Sequence, residues 1–123
     1  MNGSSILIDT NIFIYLTKGD EKIVDFLQDK DISLSYISEL ELLSFKGIAA
    51  EEEKIIEEII AQFNVLNFRS LYKEKTVFLR KKYNLKLPDS IILAIALHNK
   101  LPFFTSDKKL KNIEEIDVII YEP

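Results

Sequence analysis

Short apolar segments alternate along this chain with longer segments of helical periodicity, and this alternation limits the possible folds more than any other feature. The segments 6–9, 32–35, 64–68, 103–105 and 118–121 are predicted strands, and the segments 12–17, 20–29, 38–45, 51–63, 71–83 and 89–99 are predicted helices. Strands that alternate with helices form βαβ units, in which helices cover both faces of a parallel sheet. The sequence therefore predicts one α/β domain over residues 1–123, with about five parallel strands between two helical layers.

The sequences of two predicted helices indicate which of their residues are buried. The segment 51–63 is amphipathic, and its predicted core positions are Ile55, Ile56, Ile59, Ile60 and Phe63. Pro88 suits the first position of a helix, and the helix that it opens is apolar almost all round. This last helix is therefore expected to be buried.

Four carboxylates stand at the ends of the predicted elements: Asp9, Glu41, Asp89 and Asp107. Each falls at a strand end or near the start of a helix, and such positions gather in the crevice beyond the carboxyl ends of a parallel sheet. Crowded carboxylates repel one another unless a cation neutralises them, and oxygen ligands select hard ions such as Mg²⁺ or Mn²⁺. The pattern predicts an acidic metal site suited to phosphodiester hydrolysis.

Each acid also has a purely structural interpretation. Asp9 could cap the helix that follows it, and Asp107 could cap a short turn behind it. Asp89 would be favoured in a first helical turn by the helix dipole alone. Each acid taken singly therefore stays undecided, whereas the predicted convergence of all four favours a common site.

Glu41 has the strongest structural alternative. Ser38 and Glu41 have the spacing of a capping box, in which the serine caps the helix and the glutamate bonds back to the serine's amide. Helical periodicity also leaves Glu39 open as the member of the acidic group, because apolar residues flank both glutamates.

The composition argues against most other hydrolytic chemistries. The chain has no cysteine, which excludes thiol nucleophiles and thiolate zinc sites. His98 is the only histidine, and it lies about 180° round the helix from Asp89, so it is predicted to point away from the acids. Gly3, Gly19 and Gly47 are isolated and form no phosphate-binding loop. A serine–histidine–aspartate hydrolase is unsupported, and metal-assisted hydrolysis remains.

The net charge of −4 is unevenly distributed. Residues 66–111 contain 11 Lys and Arg residues against three acids, a local charge of +8 that leaves −12 for the rest of the chain. This basic segment could hold a nucleic-acid backbone, although ordinary solvated helix faces would also account for it. No apolar run approaches the ~20 residues of a membrane span, and the first ten residues show no secretory signal. A cytoplasmic location is therefore expected.

Four motifs resemble those of the PIN-domain nucleases, in particular the VapC-type ribonuclease toxins of prokaryotic toxin–antitoxin pairs. The motifs are Ile8-Asp9-Thr10-Asn11-Ile12, Ser35-Tyr36-Ile37-Ser38-x-x-Glu41-Leu42, Leu85-Lys86-Leu87-Pro88-Asp89-Ser90-Ile91-Ile92-x-Ala94 and Leu101-Pro102-Phe103-Phe104-Thr105-Ser106-Asp107-Lys108. Their order and spacing fit, and the resemblance covers essentially the whole chain. It implies that Glu41, rather than Glu39, belongs to the acidic group.

The resemblance implies that Asp9 and Asp89 are the main ligands of one or two Mg²⁺ or Mn²⁺ ions, and that Glu41 and Asp107 complete the acidic pocket. The polar groups implied to support these ligands are Thr10, Asn11 and Ser106. The resemblance further implies an endoribonuclease that acts on RNA, a homodimer, and a small antitoxin protein whose C-terminal segment occupies the cleft. Two alternatives stay open: a PIN nuclease of RNA processing without an antitoxin, and a non-catalytic module that binds RNA or protein.

Overall fold

The computed structural model describes residues 4–123, in which five strands alternate with six α-helices. The strands are β1 (Ser5–Ile8), β2 (Asp31–Ser35), β3 (Asn64–Leu66), β4 (Phe103–Thr105) and β5 (Val118–Ile120). The helices are α1 (Thr10–Thr17), α2 (Glu21–Leu27), α3 (Tyr36–Leu43), α4 (Ala50–Ile60), α5 (Lys73–Tyr83) and α6 (Leu87–Asn99). The 3₁₀ turns Ser70–Tyr72 and Lys108–Asn112 precede α5 and β5. The expectation about a secretory signal falls partly on residues 1–3, outside the described residues.

All five strands are parallel, and they stand in the order β3-β2-β1-β4-β5. The predicted α/β fold with about five parallel strands is therefore confirmed. Strand β1 lies at the centre of the sheet, where it pairs with β2 through Ile8 and Leu34 and with β4 through Ile8 and Phe104. The chain segments that leave β1, β2 and β4 consequently emerge side by side at one edge.

Side-chain alternation along β1 divides the interior into two cores. Leu7 packs on one face of the sheet with Leu79 of α5 and Leu93 of α6. Ile6 and Ile8 point to the other face, where a second cluster contains residues of α1, α2 and α4. Successive residues of a strand face opposite sides of its sheet, so an unbroken apolar strand requires helices on both faces. The three-layer arrangement follows from this requirement.

Several predicted boundaries differ from the observed ones. Helix α3 begins at Tyr36 rather than at residue 38, because Ser35 is its N-cap and accepts a 3.1 Å hydrogen bond from the Ser38 amide. Helix α6 begins at Leu87, which places Pro88 at the second helical position instead of the first. Helix α6 is otherwise buried through most of its length, as predicted.

The predicted core face of α4 was wrong at one of its five positions. Ile55 is 54% exposed, whereas Ile60 is buried and Ile56 and Ile59 are partly buried in the second core. Phe63 lies beyond the end of α4 and packs edge-on against Phe13 at 5.9 Å between ring centroids. A short surface helix buries a narrow stripe, so apolar residues at its margin stay in contact with solvent. Across residues 4–123, no helix combines the length and hydrophobicity that crossing a membrane requires.

Candidate active site

The structure brings the four predicted acids together on one cavity of about 660 Å³. Asp9 directly follows β1, Asp107 lies two residues after β4, and Glu41 lies in the second turn of α3, which follows β2. Asp89 follows no strand. It lies in the first turn of α6, which runs back toward the start of β4, so its N-terminal end meets the same edge of the sheet. Four separate elements thus contribute to one acidic surface.

Asp9 is held from two directions. Its Oδ1 accepts a 2.8 Å hydrogen bond from the Thr10 amide, which makes it the N-cap of α1, and its Oδ2 accepts a 2.7 Å bond from the Thr105 hydroxyl. Burial raises the pKa of Asp9 above its ordinary value of 3.8, and the charges of Asp89 and Glu41 raise it further. The two hydrogen bonds oppose this rise but do not cancel it. Asp9 is therefore a helix cap whose charged form is disfavoured by its surroundings.

Glu41 is tied to the site by a series of hydroxyl groups. The Thr10 hydroxyl lies 2.7 Å from Glu41 Oε1 and 2.8 Å from Ser38 Oγ, which in turn lies 3.3 Å from Ser35 Oγ. A carboxylate only accepts and a hydroxyl carries one proton, so Thr10 donates to Glu41 and accepts from Ser38. The capping-box interpretation of Glu41 is wrong, because Ser35 caps α3. Glu39 lines a different, smaller cavity.

Asp89 and Asp107 occupy the other side of the acidic surface. Burial raises the pKa of Asp89, and the charges of Asp107 and Glu41 add to this effect, whereas nearby Lys86 opposes it. Asp107 caps the 3₁₀ turn behind it and accepts a 3.0 Å hydrogen bond from the Lys109 amide, as its structural interpretation predicted. Within residues 4–123, Asp89 is the one acid of the four whose side chain accepts no hydrogen bond.

The other residues singled out from the sequence lie at different distances from the acids. Thr10 contacts both Asp9 and Glu41, and Asn11 lines the cavity as an exposed side chain. Ser106 does not line the cavity, and its side chain makes no hydrogen bond to any described residue. His98 packs edge-on against Tyr72, away from the acids, as predicted.

The roles of three buried hydroxyl groups beside the acids, those of Ser35, Ser38 and Thr105, were not predicted. Thr105 bonds directly to Asp9, whereas Ser38 bonds to Thr10 and Ser35 bonds to Ser38. Ser35 and Thr105 end the two strands that flank β1, and each is completely buried. A polar residue that closes an apolar strand beside an acidic one could have been taken as a signal, because buried hydroxyls must find partners. The identity of those partners was not available without the strand order.

Most of the remaining lining of the cavity forms an apolar wall, which the sequence did not indicate. It is formed by side chains of α1, α3, α4 and the loop between the last two: Phe13, Ile14, Leu42, Phe45, Ile48 and Ile56. Phe45 is 71% exposed. Lys18 is the only basic residue among the described residues that line the cavity. The cavity therefore combines the four acids with a largely apolar lining, which is interrupted by Thr17, Lys18 and Glu52.

The donor set suits a hard divalent cation. All four acids offer oxygen, the ligand atom that Mg²⁺ and Mn²⁺ prefer, and two of them carry a raised pKa that a positive charge would reverse. As the side chains stand, no three acidic or imidazole groups within residues 4–123 are close enough to enclose an ion. Binding an ion would therefore require the acids to move closer together, including Asp9, Glu41 and Asp107, which internal donors hold in this structure.

The chain is similar to known proteins in both sequence and structure. The sequence model of the family described as PIN domain matches residues 6–116. A toxin-antitoxin complex from Klebsiella pneumoniae is similar with a TM-score of 0.83 and 32% identity, over 96% of this chain and 99% of that one. VapBC-1 from nontypeable Haemophilus influenzae shares the fold, with a TM-score of 0.77 and 24% identity over 94% and 97% of the two chains. VapBC2 from Rickettsia felis, solved bound to a DNA fragment from its promoter, also shares the fold. Its TM-score is 0.79 and its identity is 18%, over 96% of this chain and 99% of that one. No curated protein sequence matches.

Proposed function

The chain belongs to the PIN-domain family, and from this premise we propose that it is a metal-dependent endoribonuclease and the toxin of a type II toxin–antitoxin pair. The observation that carries the proposal is the cavity on which Asp9, Glu41, Asp89 and Asp107 meet. Burial and mutual repulsion raise the pKa of Asp9 and Asp89. A divalent cation would relieve this repulsion, so the site is suited to bind one.

Within this proposal Asp9 and Asp89 are the main ligands of Mg²⁺ or Mn²⁺, and Glu41 and Asp107 complete the acidic pocket. Such an ion supplies a water of lowered pKa and polarises a phosphoryl oxygen. The chain itself supplies orientation: the Thr10 amide and hydroxyl fix Asp9 and Glu41 relative to each other. No histidine is needed as a base, which agrees with the position of His98 away from the cavity.

The RNA backbone would lie where exposed lysines border the four acids. Lys86 is close enough to Asp89 to lower its pKa, and Lys108 and Lys109 directly follow Asp107. All three lysines are exposed. We propose that they bind phosphates flanking the scissile bond, an interaction that would weaken as salt concentration rises.

The apolar wall suits the antitoxin. We propose that the C-terminal segment of a small antitoxin enters the cavity and packs apolar side chains against Phe45, Ile48 and Ile56. The solved structure at 32% identity is itself a toxin-antitoxin complex. An inhibitor seated there would also cover the acids of the same cavity, and this would account for the presence of both surfaces in it.

A homodimer is the second proposed assembly. Phe68 is 67% exposed and packs edge-on against Tyr36 of α3, and neighbouring Leu71 is 40% exposed. These side chains lie around the 3₁₀ turn that precedes α5 and do not line the cavity. Large apolar side chains exposed together mark interaction surfaces. A second copy of this chain is the proposed occupant, and the molar mass in solution by light scattering would test it.

The deciding experiment maps new RNA ends after brief induction of three versions of the chain in cells. The wild type is expected to create new ends, and Asp9→Asn is expected to create none. Asp25→Asn, which changes an exposed acid of α2 outside the cavity, is the matched control and should behave as the wild type. Equal cleavage by wild type and Asp9→Asn would overturn the proposed site, and absence of new ends in the wild type would overturn the proposed activity.

A further inference from the structure

Thr105 joins two of the acids through a single hydroxyl group. Its Oγ1 donates a 2.7 Å hydrogen bond to Asp9 Oδ2 and accepts a 3.0 Å hydrogen bond from the Asp107 amide. The side chain is completely buried. With both bonds made, the hydroxyl has its proton committed to Asp9 and one lone pair committed to Asp107. Its orientation is therefore fixed from both sides.

The strand register explains this arrangement. Ile8 of β1 pairs with Phe104 of β4, and the Asp9 amide donates a 2.9 Å hydrogen bond to the Phe104 carbonyl. The next residues along the two strands, Asp9 and Thr105, are consequently side by side at the edge of the sheet. The backbone ladder thus brings the hydroxyl to the carboxylate, and the hydroxyl then restrains the turn that carries Asp107.

We propose that Thr105 is a positioning residue of the metal site, which sets the direction of the Asp9 carboxylate and the position of the Asp107 turn. This inference rests on the proposed function, because it assumes that these acids bind a divalent ion. A buried threonine could also take whatever partners lie nearest and matter only for stability. The two interpretations differ in what removal of the hydroxyl does to ion binding, since groups that orient metal ligands typically change affinity by about 10–100-fold.

The test compares Thr105→Val, which keeps the shape and removes the hydroxyl, with Thr105→Ser, which keeps the hydroxyl and removes the methyl group. Thr76→Val is the matched control, because the Thr76 hydroxyl also makes a hydrogen bond, to the Tyr72 carbonyl, but lies outside the cavity. Each full-length variant is titrated with Mn²⁺ by calorimetry, and its Tm is measured with chelator and with Mn²⁺. Thr105→Ala is a second hydroxyl-free variant in case the valine variant does not fold.

The expected result is at least a ~10-fold loss of Mn²⁺ affinity in Thr105→Val and Thr105→Ala. Thr105→Ser and Thr76→Val should bind with an affinity close to that of the wild type, well short of a ~10-fold loss. Wild-type affinity in Thr105→Val or Thr105→Ala would overturn the positioning role. A loss in Thr105→Ser as large as in Thr105→Val would also overturn it, by assigning the effect to the methyl group. If the wild type itself bound no Mn²⁺, the proposed metal-dependent function would fail first, and this outcome is distinct from the other two.

Discussion

The Thr10 hydroxyl donates a 2.7 Å hydrogen bond to Glu41 Oε1, although the two residues are 31 positions apart in the chain. The contact joins the first turn of α1 to the second turn of α3 across the carboxyl edge of the sheet. It links Glu41 to the residue whose amide donates a hydrogen bond to Asp9. Because Ser35 caps α3, Glu41 has no capping task to perform.

The two glutamates of α3 are predicted to differ in cleavage rate. Glu41→Gln should lower the rate by at least about 100-fold, because the amide removes one negative charge from the proposed ion site. Glu39→Gln is the matched control on the same helix, and it should have little effect because Glu39 lines another cavity. Initial rates on a single-stranded RNA at saturating Mn²⁺ provide the measurement. A larger loss in the Glu39 variant would show that the site lies elsewhere.

Asp9→Asn is predicted to stabilise the metal-free protein near neutral pH. Folding raises the pKa of Asp9 above 3.8, so the folded chain binds more protons than the unfolded one, and stability falls as pH rises through that window. Asparagine keeps the capping oxygen but carries no charge. A rise in Tm of about 3 °C or more, roughly the effect of 1 kcal/mol in a chain of this size, is expected at pH near 7 in chelator. The difference should vanish below the ordinary pKa of 3.8.

The control for this prediction is Asp25→Asn, which should leave Tm unchanged because Asp25 is exposed and outside the cavity. A lower Tm for Asp9→Asn in chelator near neutral pH would mean that the bond from Thr105 outweighs the repulsion among the acids.

Removal of divalent ions is predicted to abolish RNA cleavage and to lower Tm. An ion that binds only the folded chain stabilises it by about 2.7 kcal/mol at a concentration 100 times its Kd. Tm should therefore rise steadily with Mn²⁺ in the wild type and much less in Asp9→Asn. Melting curves and cleavage assays across a series of Mn²⁺ concentrations give both quantities. Undiminished cleavage in excess chelator would contradict a metal-dependent mechanism.

Phe45 is predicted to be the principal aromatic contact of the antitoxin. Phe45→Ala should weaken binding of the proposed antitoxin by about 2–4 kcal/mol, the usual effect of truncating a central aromatic contact. Phe78→Ala is the control, because Phe78 is also an exposed phenylalanine (47%, against 71% for Phe45) and lies on α5 outside the cavity. Both changes are made in the Asp9→Asn background and measured by calorimetry. Equal affinities for the two variants would show that the inhibitor binds another surface.

The Tyr121 hydroxyl is predicted to contribute to acid-sensitive stability through a residue that does not line the cavity. It donates a 2.6 Å hydrogen bond to Asp20, which raises the pKa of Tyr121 to about 12 and lowers the pKa of Asp20. A carboxyl group with a lowered pKa stabilises the fold above its ordinary value and loses this contribution as pH falls. Tyr121→Phe should therefore lower Tm near pH 7, and the deficit should shrink toward about pH 2. A deficit independent of pH would assign the effect to packing.

The order of elements and the identity of the acids were accessible from sequence because both depend on local patterns. Short apolar runs such as residues 6–8 are typical of buried parallel strands, and segments of helical periodicity separate such runs along the chain. The motifs around Asp9, Glu41, Asp89 and Asp107 indicated the family, and the match over residues 6–116 confirmed it. Helix boundaries were less accessible, since Ser35 and Ser38 are equally good caps by composition.

The tertiary structure alone decided which side chains hold the acids. Thr105 reaches Asp9 because β4 pairs with β1 in one particular register, and Ser38 reaches Thr10 because β2 lies on the other side of β1. Strand order and register arise from the packing of the whole sheet between two helical layers. No local pattern in the chain encodes them. The sequence by itself therefore determined which groups carry charge, and the packing of distant strands determined the hydrogen bonds that orient them.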